Sequence, residues 1–219
     1  MSEPRRITSI EANPEDPMML DIHLGNELLG ELTRDDVEEL ELVIGLEEHD
    51  DKVIALRRAI EFKDARTQAF KILARKERAS GEIIRRLEAR GHSNDLATDV
   101  AGELIEDGWL DDEGYTRRRL EQLRDADGRS TQICREKLLK EGVPESVAEP
   151  LLQAAGTGDG DVEAACTALR KAMSRSSRNA DGSPAAARRL AATLQRQGFD
   201  SDTMSTAFSR LSLIPPGEE

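Results

Sequence analysis

The chain has 219 residues, 34% of them charged and 37% hydrophobic, with a formal net charge of −13. That balance favours several thin helical layers over one deep core. No run approaches the eighteen apolar residues a membrane span needs, and the N-terminal "MSEPRRITSIEANPEDP" has no apolar stretch after its arginines, so neither a span nor a signal peptide is expected.

The acidity is placed unevenly. Residues 1–64 hold 18 acids and 7 bases, whereas residues 65–219 hold 26 acids and 24 bases. Within the remainder, residues 66–90 carry eight bases against three acids, a locally basic surface suited to phosphate or an acidic partner.

In chain order, "RITSIEAN" and "MMLDIHLG" alternate apolar and polar residues as half-buried strands do, with Ile7, Ile10, Leu20, Ile22 and Leu24 on the apolar positions. "LGNE" signals a turn and "LLGEL" a third short strand. Thr33, with Asp36 three residues on, predicts a helix start, and Gly45 a stop. A small hairpin or three-stranded patch plus a short helix is expected over residues 5–46, packed on the helices that follow.

From about residue 47 the pattern is helical: Val53, Leu56 and Ile60 recur at helical spacing, then Ala69, Phe70 and Leu73. The helical part repeats. "IIRRLEARGHSNDL", "ICREKLLKEGVPESV" and "RLAATLQRQGFDSDT" align on Gly91, Gly142 and Gly198, spaced by 51 and 56 residues. Leu87, Leu138 and Leu194 stand four residues before each glycine; Ile83, Cys134 and Leu190 stand eight before. His92, Val143 and Phe199 follow directly. The pattern predicts a helix, a glycine C-cap, a tight turn starting at Ser93, Pro144 or Asp200, and a second helix. Earlier helices are expected at 66–76, 113–124 and 161–173. The expected fold is thus mainly α, with three tandem three-helix repeats forming an elongated curved module behind a small β-containing extension. The boundaries are 1–46 for the extension, 47–111, 112–155 and 156–214 for the repeats, and 215–219 for a tail. Residues 174–184, rich in Ser, Asn and Gly, form an expected mobile loop.

Chemistry finds little footing. His23, His49 and His92 are scattered, and no nucleophile elbow or dinucleotide loop occurs. "GTGDGD" (156–161) lacks the Lys-Ser/Thr ending of a phosphate loop, and an EF-hand register puts Ala164 and Arg170 where Gly and Glu are required. Cys134 and Cys166 read as small buried residues. No catalytic, cofactor or metal residue is assigned, and a cytoplasmic monomer is the default.

The stretch "EDGWLDDEGY" (106–115) holds the chain's single Trp and single Tyr. It is expected to join the first repeat to the second. Gly108 supplies a left-handed turn, and Trp109 and Leu110 plug the seam. Asp111 or Asp112 caps the next helix, and Tyr115 packs back on it.

Three stretches resemble one family: "AFKILARKERASGEIIRRLEARG" (69–91), "GWLDDEGY" (108–115) and "GRSTQICREKLLKEGV" (128–143). Together with "RRLAATLQRQGFDSDTM" (188–204) and the strand-like N-terminus, they look like the RecX regulators of the RecA recombinase. Thr116 stands where that family usually has Ala. The resemblance implies a non-catalytic module that lies in the groove of the RecA–DNA filament and limits its growth, ATP hydrolysis and strand exchange. Direct DNA binding is expected to be weak because of the acidic N-terminal region. The expected partner face combines Lys71, Arg75, Arg78, Arg85 and Arg86 with Arg117, Arg118 and Arg124, because guanidinium forks suit carboxylate and phosphate oxygens. A helix-turn-helix nucleic-acid module and a helical scaffold for another partner are the alternatives.

Overall fold

The computed structural model describes residues 4–157, 159–176, 179 and 181–213. Three strands, β1 (Ile7–Ala12), β2 (Met19–Leu24) and β3 (Glu27–Thr33), pair antiparallel in chain order. They are followed by α1 (Arg34–Glu39), α2 (Asp51–Leu73), α3 (Ser80–Glu88), α4 (Asn94–Glu106) and α5 (Asp112–Glu121). A π-helical turn (Gln122–Ala126) leads to α6 (Thr131–Lys140), α7 (Glu145–Gly156), α8 (Gly160–Arg175), α9 (Pro184–Arg196) and α10 (Ser201–Arg210). Two compact units result. One comprises residues 1–75 and 87–100, the other 76–86 and 101–219. The expected tail at 215–219 lies outside the described residues, as do residues 177, 178 and 180 of the 174–184 loop.

In the first unit the sheet covers the N-terminal half of α2. Ile7, Ile22, Leu24 and Leu32 pack with Val53 and Leu56, and all six are buried. This is the packing a three-stranded patch needs to persist. Thr33 caps α1 through a full capping box: its hydroxyl accepts from the Asp36 N–H, and the Asp36 side chain accepts from the Thr33 N–H. The helix stops at Leu40, five residues before the predicted Gly45. Beyond it, Glu41 takes a left-handed φ of 47°, and the chain turns back along β1. There the Ile7 N–H donates to Leu46 O at 2.9 Å, and the Gly45 N–H donates to Ile7 O at 2.8 Å. Those backbone groups are satisfied by the strand and are unavailable to a longer helix.

The helix predicted at 66–76 is the end of one 23-residue helix, α2. Arg58 of α2 pairs with Asp99 of α4 at 2.8 Å, and the largely buried His92 ring lies 3.7 Å from Glu61 and 3.8 Å from Asp64.

The second unit holds two apolar clusters. Leu120, Leu123, Cys134, Leu138, Val143 and Leu152 form one. Cys166, Leu169, Leu190, Leu194, Phe199 and Phe208 form the other. Both thiols are free and buried, and burial pushes Cys134 up to about 11 and Cys166 also upward, so both behave as apolar filling. The helix predicted to run through residue 124 changes character at 122, where the Asp127 N–H reaches Gln122 O at 3.2 Å. That wide turn carries Leu123 and Arg124 inward together.

The three aligned glycines share one local geometry. Gly91, Gly142 and Gly198 have φ of 99°, 91° and 81°. The next residue's N–H returns to the carbonyl of Leu87, Leu138 or Leu194 at 3.3, 3.0 and 3.2 Å. Each of those leucines is fully buried. The next helix opens with Ser93 Oγ accepting from the Leu96 N–H and Asp200 Oδ1 accepting from the Thr203 N–H, while Pro144 opens α7.

Candidate partner-binding surface

The predicted basic residues fall on both units. Lys71 and Arg75, at and just beyond the end of α2, belong to the first unit and are exposed. Arg78, Arg85, Arg86, Arg117, Arg118 and Arg124 belong to the second.

Three arginines of the second unit share one carboxylate. Glu82 on α3 accepts from Arg85 at 2.9 Å and Arg86 at 2.7 Å, with Arg78 at 3.5 Å. Arg85 also donates to the Lys140 carbonyl at 3.0 Å. Arg117 pairs with Glu113 along α5, and Arg118 reaches across to Glu77. Arg85, Arg86, Arg117 and Arg118 are all exposed, so these pairs are solvent-screened and weak, and their guanidinium groups remain accessible to a partner.

Arg124 departs from the prediction. It is 6% exposed, and its Nη1 donates to Asp161 at 2.7 Å and to Thr131 Oγ1 at 2.6 Å. Asp161 also accepts from the Thr131 hydroxyl at 2.8 Å. Arg124 therefore ties α6 to α8 and does not belong to a surface. The acids of "GTGDGD" do similar work: Asp161 holds Arg124, while Asp159, with Glu163, holds Arg210.

The joint at 106–115 also differs from its prediction in one respect. Gly108 takes a φ of 76°, and the N–H groups of Trp109 and Leu110 both return to Leu104 O, at 2.8 and 3.0 Å. Leu110 then turns inward, 3% exposed, while Trp109 is 61% exposed. The wholly apolar leucine takes the interior, and the indole, which carries a polar N–H, stays at the surface. Leu110 alone plugs the joint.

The acids of the joint divide the labour. Asp111 is the N-cap of α5, accepting from the Gly114 N–H at 2.8 Å. Asp112 is buried and reaches 32 residues back, accepting from the Ser80 N–H at 2.8 Å and the Ser80 hydroxyl at 2.5 Å. One carboxylate from the first turn of α5 thus satisfies the buried start of α3. Beside it, Gly81 N–H donates to Gly142 O at 3.0 Å, so α3 begins in backbone contact with the glycine turn after α6. Thr116, the departure from the family pattern, is fully buried, and its hydroxyl donates to Asp112 O at 2.6 Å. The extra hydroxyl is satisfied within its own helix.

Tyr115 packs against the Leu120–Leu152 cluster, and its hydroxyl donates to Glu141 at 3.0 Å. Arg119 Nε also donates to Glu141, at 2.8 Å. Burial, then the Glu141 carboxylate, pushes the Tyr115 hydroxyl up to about 12. Burial opposes ionisation of Glu141, but bonds from Arg119 and Tyr115 outweigh it and hold its carboxyl below the usual range. The raised Tyr115 value means its contribution is complete below the unfolded value near 10 and is lost as pH rises towards 12. With one tyrosine in the chain, the pH-dependent rise in absorbance at 295 nm reads this group alone. Its titration is expected about two units above a free tyrosine, and Glu141→Gln is expected to move it down. A midpoint near 10 in the folded wild type contradicts the assigned bond.

Among the described residues no cluster of His, Cys, Asp and Glu is placed to hold a metal ion, and no helix is long and apolar enough to cross a membrane. The fold is that of a mainly helical protein with a small N-terminal sheet, and its second unit carries exposed arginines.

Searching family models gives no match. A regulatory protein RecX from Halorhodospira halophila is 31% identical over 149 residues, spanning 65% of this chain and 84% of that protein. A crystal structure of regulatory protein RecX superposes with a TM-score of 0.66 at 18% identity, covering 94% of this chain and 99% of that one. RecX from Lactobacillus salivarius superposes with a TM-score of 0.58 at 20% identity, covering 71% and 99%. The structural matches establish the shared fold, and the sequence match establishes the family. This chain belongs to the RecX family of regulatory proteins.

Proposed function

We propose that this chain is a non-catalytic modulator of the RecA recombinase, acting in the cytoplasm during recombinational repair and the SOS response. It binds the RecA–DNA filament and limits its assembly, ATP hydrolysis and strand exchange. The observation that carries this reading is family membership, supported by a matched span covering most of a RecX protein. The local helix–glycine–helix geometry shared by Gly91, Gly142 and Gly198 is consistent with a repeated unit, the kind of element that filament-binding repeat proteins use. Arg78, Arg85, Arg86, Arg117 and Arg118 form the partner-binding set of the second unit, Lys71 and Arg75 are the candidates on the first, and Arg124 leaves the set because it is buried.

A net charge of −13 disfavours bare DNA, whose affinity for proteins grows with each phosphate neutralised. Adding the chain to preformed RecA filaments on single-stranded DNA is expected to lower ATP hydrolysis at concentrations that leave the anisotropy of a bare labelled strand unchanged. Tight binding to the bare strand with unaltered RecA ATPase would assign the chain to the nucleic-acid-binding class. Silence in both assays would assign it to another partner.

A further inference from the structure

Two adjoining clefts open within the second unit. The first, of about 400 Å³, is lined by Lys76, Arg78, Lys137 and Lys140 together with Glu77, Glu82 and Glu141. The second, of about 360 Å³, shares Lys76, Glu77, Tyr115 and Glu141 and adds Arg118 and Arg119. Their cationic side chains differ in state. Arg78 is near Glu82, Arg118 holds Glu77 and Arg119 holds Glu141. Among the described residues, the ammonium groups of Lys76, Lys137 and Lys140 make no hydrogen bond or ion pair, although all three line the first cleft.

We propose that these clefts dock a short acidic segment of a partner protein, whose Asp or Glu carboxylates sit on Lys76, Lys137 and Lys140. The clefts already hold three carboxylates on arginines, so the surroundings favour that group in that setting. The three lysines are compact charges that accept a carboxylate from a range of directions. An extended peptide places alternate side chains roughly 7 Å apart, so successive carboxylates can reach different lysines. A short peptide confines its charge to the clefts, whereas a nucleic-acid strand carries its phosphates on past them, over a chain of net charge −13. Arg118 lines the second cleft, and Arg85 and Arg86 pair with Glu82 of the first; the inference rests on the proposed function for the identity of the partner but not for the chemistry of the site.

The test uses the full chain with a fluorescent oligoglutamate peptide and, separately, a fluorescent oligothymidine strand, at low salt. Anisotropy is expected to show peptide binding that weakens with added salt. Lys76→Gln/Lys137→Gln/Lys140→Gln is expected to weaken it at least about tenfold, without a change in melting temperature. Arg57→Gln/Lys63→Gln/Arg188→Gln removes the same charge elsewhere and is expected to leave peptide binding intact. Absence of peptide binding, equal loss in both triple variants, or tighter binding of oligothymidine at the same lysines overturns the proposal. The lysine variant is also expected to inhibit RecA ATPase about tenfold less potently. Peptide binding by a wild-type chain that leaves RecA untouched would retain the cleft and refute the RecA reading.

Discussion

Gly142→Ala is expected to be among the most damaging single-methyl additions in this chain. The residue has a φ of 91°, where an L side chain is strained by about 1–2 kcal/mol. A Cβ there would also lie 2.4 Å from Glu82 N and 2.8 Å from Gly81 C, backbone atoms that cannot swing aside. Overpacking of this kind adds about 1–3 kcal/mol, for a total near 3 kcal/mol. The aligned positions provide the comparison. A Cβ on Gly198 would meet Ser130 Oγ at 2.6 Å and Ile133 Cγ1 at 2.7 Å, side-chain atoms able to give way. A Cβ on Gly91 would meet nothing within 4 Å, leaving only the φ strain. Denaturant unfolding should therefore rank the alanine variants Gly142, Gly198, Gly91 from most to least destabilised. Equal losses at all three would mean that the contact between the start of α3 and the turn after α6 is not formed.

Asp112→Ala carries the second large effect. It strips the Ser80 N–H and hydroxyl of their acceptor in a site where Ser80 is 5% exposed. Each buried donor left unsatisfied costs about 1–3 kcal/mol, so a loss near 3 kcal/mol is expected. Asp112→Asn keeps an acceptor oxygen and is expected to cost about half as much. Adding Ser80→Ala to Asp112→Ala should cost less than the sum of the two single changes, because both remove one interaction. Strict additivity in this cycle would deny the bond. Asp111→Ala, by contrast, removes an exposed helix cap and is expected to cost about 1 kcal/mol.

The contrast between these two aspartates shows where the sequence was readable. The capping box at Thr33 and Asp36, the three glycine turns and the strand alternation around Ile22 are local patterns, decided within a few residues. Those features follow from capping chemistry and from periods of two and 3.6. The long-range partners do not. Nothing near Asp112 indicates that its carboxylate meets Ser80, and nothing near Arg124 points to Asp161, 37 residues on. Trp109 and Leu110 are both apolar, and which one faces inward depends on the turn at Gly108 as a whole.

Two of the cleft lysines carry little sequence signal: Lys137 and Lys140 lie outside the basic stretch 66–90, on a helix whose recurring pattern is its apolar face. The spacing of three between them puts both on one side of α6, a signal that becomes informative once Lys76 and Arg78 are known to face them. Exposed charge is otherwise the part of a sequence least constrained by folding.

The second unit's basic surface is proposed to act on the RecA filament. The most direct measurement is RecA ATPase on single-stranded DNA, titrated with wild type, Arg85→Glu/Arg86→Glu and Arg117→Glu/Arg118→Glu, each first shown to keep its melting temperature. Inhibition by the wild type is expected, with a loss of at least about tenfold in potency in both folded double variants. Undiminished inhibition by both would contradict it.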